Sequence, residues 1–136
     1  MTDVLLASDE AWVRDEVRSV LSGRPGVTVH EVTAGVQVLP AVRRLSPDLV
    51  VVDLQMGNMG GIAACMELRL EESADRVDHV PVLVLLDRRP DVFLARRAGA
   101  EGWLVKPLDP IRLRKAVTAL LDGGAYHDES YRPAAS

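Results

Sequence analysis

Two carboxylates and an ammonium stand at the ends of three separate apolar runs. Val4-Leu5-Leu6-Ala7 ends at Ser8-Asp9-Glu10, Leu49-Val50-Val51-Val52 ends at Asp53, and Trp103-Leu104-Val105 ends at Lys106-Pro107. If the fold sets these ends side by side, Asp9 and Asp53 repel each other and the pKa of at least one rises. A hard divalent cation relieves that repulsion, and oxygen donors in a partly hydrated site suit Mg²⁺. A carboxylate beside a cation and a lysine is also an acceptor for a phosphoryl group, because the two positive charges offset the charge on the transferring oxygens. Lys106 and Lys115 are the only lysines in a chain where arginines are plentiful, which makes Lys106 harder to dismiss as generic surface charge.

The elements that must position these groups can be read from periodicity. The first two runs are short, apolar and bounded by turn residues, which marks strands covered on both faces, and Trp103 to Val105 is a brief strand. Val82 to Leu86, after Pro81, is a fourth run of this kind, and the alternating Val27 to Val32 is a fifth strand, placed at an edge. Between them lie helical patterns: Ala11 to Leu21, Thr33 as a cap through Leu45, Ile62 to about Glu72, Pro90 to Ala98, and a last helix after Asp109-Pro110. Pro40 inside the second of these implies a kink or a late start. Pro110 suits a first helical position, behind Asp109 as N-cap.

Five strands alternating with five helices give an α/β fold of (βα)5 type, a doubly wound, flavodoxin-like three-layer sandwich with parallel strand order 2-1-3-4-5. In open parallel sheets the ligand crevice lies beyond the carboxyl ends of the strands. That is where Asp9, Asp53 and Lys106 fall. A barrel of eight units does not fit into 136 residues. The expected division is one domain over residues 1–122 and a polar, disordered tail over 123–136.

Composition narrows the classes of function. The net charge of −4, with arginines in scattered pairs, argues against nucleic acid as a partner. No apolar run reaches the roughly 18 residues of a membrane span, and Asp3, Asp9 and Glu10 interrupt any signal-peptide pattern. Cys65 is the only cysteine, so no intrachain disulfide forms. A cytoplasmic protein is expected. His30, His79 and His127 show no ligand spacing. Gly57, Gly60 and Gly61 lack the spacing of a phosphate-cradling loop.

At PDLVVVDLQM and GAEGWLVKP the chain resembles the receiver domains of two-component response regulators, over roughly Val4 to Leu121. The resemblance implies that Asp53 takes a phosphoryl group from a sensor histidine kinase or phosphotransfer protein. It implies that Asp9 and Asp53, with the backbone carbonyl of Gln55, bind Mg²⁺. Lys106 pairs with the phosphoryl oxygens, and Trp103 occupies the aromatic switch position. An output protein then docks on the face of the fourth helix, fifth strand and fifth helix, with a homodimer left open. The chain is expected to act as a stand-alone receiver, a signalling domain rather than an enzyme.

Three departures from the family pattern stand out. Ser8 stands where the first of two acidic residues belongs, Leu86 replaces the usual Ser or Thr, and Gly57 and Gly60 replace a proline and an acid in the loop. A hydrogen bond to a charged group contributes about 1.5–3 kcal/mol. Loss of the hydroxyl at position 86 therefore weakens the coupling of phosphorylation to switching by about ten- to a hundredfold. Two other readings follow: a pseudo-receiver that docks without phosphorylation, favoured by Ser8 and Leu86, and a phosphatase using Asp53 as nucleophile, disfavoured because Gln55 stands where a second acid is needed.

Overall fold

The computed structural model describes residues 1–128. Strands β1 (Thr2–Ala7), β2 (Val27–Val32), β3 (Leu49–Asp53), β4 (Val82–Leu86), β5 (Gly102–Val105) and β6 (Tyr126–His127) form one sheet in the order β2-β1-β3-β4-β5-β6. Every pairing is parallel. The connecting helices are α1 (Ala11–Leu21), α2 (Val38–Leu45), α3 (Gly61–Ser73), α4 (Val92–Arg97) and α5 (Pro110–Leu121). The doubly wound α/β architecture expected from the apolar runs is the one observed.

The continuous apolar character of the central strands follows from two cores, one on each face. Side chains alternate across a strand. Leu5, Ala7, Val50, Val52, Val82, Val84, Leu86 and Val105 pack under α2, α3 and α4, while Val4, Leu6, Leu49, Val51, Leu83, Leu85 and Leu104 pack under α1 and α5. All five residues of β3 and all five of β4 are buried. Each such aliphatic side chain contributes about 1.5–3 kcal/mol relative to exposure. No helix among the described residues is long and apolar enough to cross a membrane.

The second helix starts late. A 3-10 turn over Gly35–Gln37 precedes α2, and Pro40 falls in the first turn of α2, where its missing N–H costs no helical bond. Thr33 does not cap this helix. Instead the Gln37 side-chain oxygen turns back and accepts from the backbone N–H groups of Thr33 and Ala34, at 2.9 and 3.0 Å.

The sheet also has a strand where the sequence suggests a polar tail. After α5 the chain reverses at Gly123, whose φ of +85° suits glycine. It then lays Tyr126 and His127 against Gly102 and Trp103 of β5. Asp128 is buried and locks the end: its N–H donates to the Trp103 carbonyl at 3.3 Å, and its carboxylate accepts from the Val105 N–H at 2.9 Å. A two-residue strand has no periodicity to read, so the tail expectation is corrected for residues 123–128. Its remainder, 129–136, lies outside the described residues.

Candidate functional site

Register brings the strand ends together. Ala7 of β1 lies opposite Val52 of β3, Asp53 opposite Leu85 of β4, and Leu86 opposite Val105 of β5. The residues that follow, Ser8, Asp53, Asp87 and Lys106, therefore cluster on one rim. Asp53 is fully buried there, with both carboxylate oxygens engaged. Oδ1 accepts from Lys106 Nζ at 2.6 Å, and Oδ2 accepts from the Ser8 hydroxyl at 2.8 Å. Ser8 Oγ in turn accepts from the Glu10 N–H at 3.1 Å, which fixes its orientation.

Lys106 is shared. Its ammonium also donates to Asp87 Oδ1 at 3.0 Å and sits 5.6 Å from the ring centroid of Trp12, within cation–π range. Partial burial pulls the pKa of Lys106 down, but hydrogen bonds and charge from Asp53 and Asp87 outweigh it, so the group lies above the ordinary lysine value. The other oxygen of Asp87, Oδ2, is buried and has no hydrogen-bond partner among the described residues.

Asp9 reaches the same rim by another route. The N-cap of α1 is Glu10, with no side-chain capping bond, so Asp9 is not the cap. Its Oδ2 accepts from the Gly57 N–H at 2.9 Å and ties the end of β1 to the loop after β3. Asp53 and Lys106 thus meet directly, while Asp9 joins them through that loop. Gln55 is exposed just beyond Asp53.

The loop itself is tightly held. Asn58 and Met59 both adopt positive φ, +52° and +78°, which is strained for a long side chain such as Met59. The Val36 N–H donates to the Asn58 carbonyl at 3.0 Å. A Cβ on Gly35 would lie 1.9 Å from the Met59 carbonyl oxygen, and one on Gly61 would lie 2.3 Å from that of Asp53. The glycines at 35 and 61 are required by this close approach of backbones.

Leu86 is fully buried in the core and offers the site no hydroxyl. Trp103 is 2% exposed. The His127 ring stacks on it at 4.1 Å between centroids with a 3° interplanar angle, and the Arg96 guanidinium lies 5.3 Å from its centroid. Two residues of this region escape periodicity: Asp87, whose signal is being the first polar residue after PVLVLL, and Trp12, whose signal is an exposed aromatic at the start of a helix whose buried positions are Val13, Val17, Val20 and Leu21.

The donors available to a cation are all oxygens: the carboxylates of Asp9 and Asp53 and the Ser8 hydroxyl. Among the described residues no three His, Cys, Asp or Glu side chains form a ready metal cage. Mg²⁺ binds through one or two carboxylates and keeps several waters. The set fits a hydrated Mg²⁺, held by less charge than three carboxylates supply.

Comparison with known proteins gives the family and the fold. The profile of the response regulator receiver domain matches residues 4–118. The chain is 30% identical over 131 residues to the nitrate/nitrite response regulator protein NarL of Escherichia coli, an overlap of 96% of this chain and 59% of that protein. It is 34% identical over 120 residues to the DNA-binding response regulator MtrA of Mycobacterium tuberculosis, covering 87% and 50% respectively. The chain thus spans about half to three fifths of these curated relatives. Among solved structures, a LuxR-family two-component response regulator from Aurantimonas superimposes with a TM-score of 0.83 at 28% identity, over 96% of this chain and 92% of that one. The chemotaxis response regulator CheY4 of Vibrio cholerae does so at 0.76 and 26%, over 88% and 98%.

Proposed function

The chain belongs to the response regulator receiver-domain family, and on that premise we propose that Asp53 accepts a phosphoryl group from a phosphohistidine of a sensor kinase or phosphotransfer protein. The observation that carries the reading is the 2.6 Å contact between Lys106 Nζ and Asp53 Oδ1 at the carboxyl end of β3. In the transfer, an Asp53 oxygen attacks phosphorus and a P–O bond forms as the P–N bond breaks. The electron pair of that bond returns to the donor imidazole, which takes up a proton. Lys106 turns from the carboxylate to the phosphoryl oxygens, and Ser8 supplies a neutral hydrogen bond. Asp9, Asp53 and the Gln55 carbonyl would hold Mg²⁺, which when bound supplies positive charge at the transferring oxygens.

The signal leaves through protein–protein docking on the face of α4, β5 and α5. Support comes from Phe93 and Leu94 of α4, which stand 75% and 47% exposed. Exposed apolar side chains of that size suit a partner surface.

The test is incubation with acetyl phosphate and Mg²⁺, followed by intact mass. Wild type gains one phosphoryl group and Asp53→Asn gains none. Absence of the adduct from wild type, where an ordinary receiver is modified, overturns the reading in favour of phosphorylation-independent docking.

A further inference from the structure

We propose that Asp87 is a resident anion that competes with the phosphoryl group for the Lys106 ammonium, and so acts as a positioning residue that weakens anion binding at the phosphorylated site. This rests on Asp53 being the acceptor. Three observations lead to it. The Lys106 ammonium is divided between Asp53 Oδ1 at 2.6 Å and Asp87 Oδ1 at 3.0 Å. Among the described residues Lys106 is the only hydrogen-bond partner of the Asp87 side chain, whose other oxygen is buried without one. No other group among the described residues therefore anchors this carboxylate away from the lysine. Finally, Leu86 is fully buried, so the end of β4 offers the site an acceptor and no side-chain donor.

The chemistry sets the sign. Phosphorylation replaces a single negative charge at Asp53 by roughly 1.5–2. Phosphoryl oxygens and a carboxylate are both acceptors, so they cannot hydrogen-bond each other and must share Lys106. The Asp87 side chain is 32% exposed, so solvent screens part of the repulsion. What remains is an effect of about tenfold on anion affinity.

The test is titration with beryllofluoride and Mg²⁺, read by amide NMR, on wild type and on Asp87→Asn, Asp87→Ser and Asp87→Glu. The neutral variants bind about tenfold more tightly, and Asp87→Glu binds like wild type. A residue with a merely structural role would not raise affinity on removal. If wild type binds and both neutral variants bind no tighter, or if Asp87→Glu gains as much as they do, the inference is overturned while the acceptor assignment stands. If no protein of the series binds, the acceptor assignment fails and this inference falls with it.

Discussion

The Ser8 hydroxyl donates to Asp53 Oδ2 at 2.8 Å in a fully buried setting, a neutral donor where the family pattern has an acid. A second carboxylate there would repel the first and call for a cation. The serine satisfies one oxygen of Asp53 instead and adds no charge to the site.

Ser8→Asp is expected to reverse this balance. It should raise Mg²⁺ affinity by tenfold or more, since a charge is added to the donor set. It should also lower metal-free stability by about 1–3 kcal/mol, through repulsion and the lost hydrogen bond. Urea denaturation with and without Mg²⁺ reads both effects. A variant equally stable in the two conditions would contradict the expectation.

Lys106→Met removes the principal counter-charge of a buried carboxylate. Breaking one side of such a pair costs about 3–5 kcal/mol. The double variant with Asp53→Asn should recover most of that loss, because the uncompensated charge is gone. Equal stability of the single and double variants at neutral pH would show that the pair contributes nothing.

His127→Ala tests whether β6 covers Trp103 in solution. Loss of the stack costs about 0.5–1.5 kcal/mol. In a Trp12→Phe background, Trp103 emission should shift to the red as water reaches the ring. Unchanged emission and stability would mean that the sixth strand does not persist.

Cys65 is fully buried and its thiol donates to the Ala98 carbonyl at 3.4 Å. Burial pushes its pKa up from 9.0 to about 11. The folded state therefore keeps the thiol proton where the unfolded chain loses it. Its contribution to stability is complete below pH 9.0 and declines as pH rises towards 11, by up to roughly 2–3 kcal/mol. Cys65→Ala should flatten that decline in urea melts across this interval. Alkylation of the native thiol at pH 8 should be at least about a hundredfold slower than in urea.

The strands and the site were legible to different degrees. β3 and β4 announced themselves because both faces are covered, leaving four apolar residues in a row before Asp53 and five before Asp87. Asp53 and Lys106 were legible because each directly follows such a run. Asp87 occupies an equivalent place after β4 but belongs to no family motif, so only geometry ties it to Lys106. The role of Asp9 was half legible: the sequence carried it to the right rim, but its bond to the Gly57 N–H depends on a loop whose path two non-glycine residues at positive φ determine. β6 was illegible because its stabilisation comes from pairing with β5, from the stack on Trp103 and from the bond of the adjacent Asp128 to Val105, partners some twenty residues away from a two-residue segment without a pattern of its own.

Gly35 belongs to no chemistry and lies on the far side of the acceptor loop, yet its missing side chain is what lets the Met59 carbonyl settle. An alanine there would have to shove the peptide at Met59 aside, and the displaced backbone is continuous with the one that offers Gly57 to Asp9. Position 35 is in effect a remote setscrew on the active rim. If Asp53 is the acceptor proposed above, damage there would masquerade in a screen as a defect in phosphate handling, although no atom of Asp9, Asp53 or Lys106 had been altered.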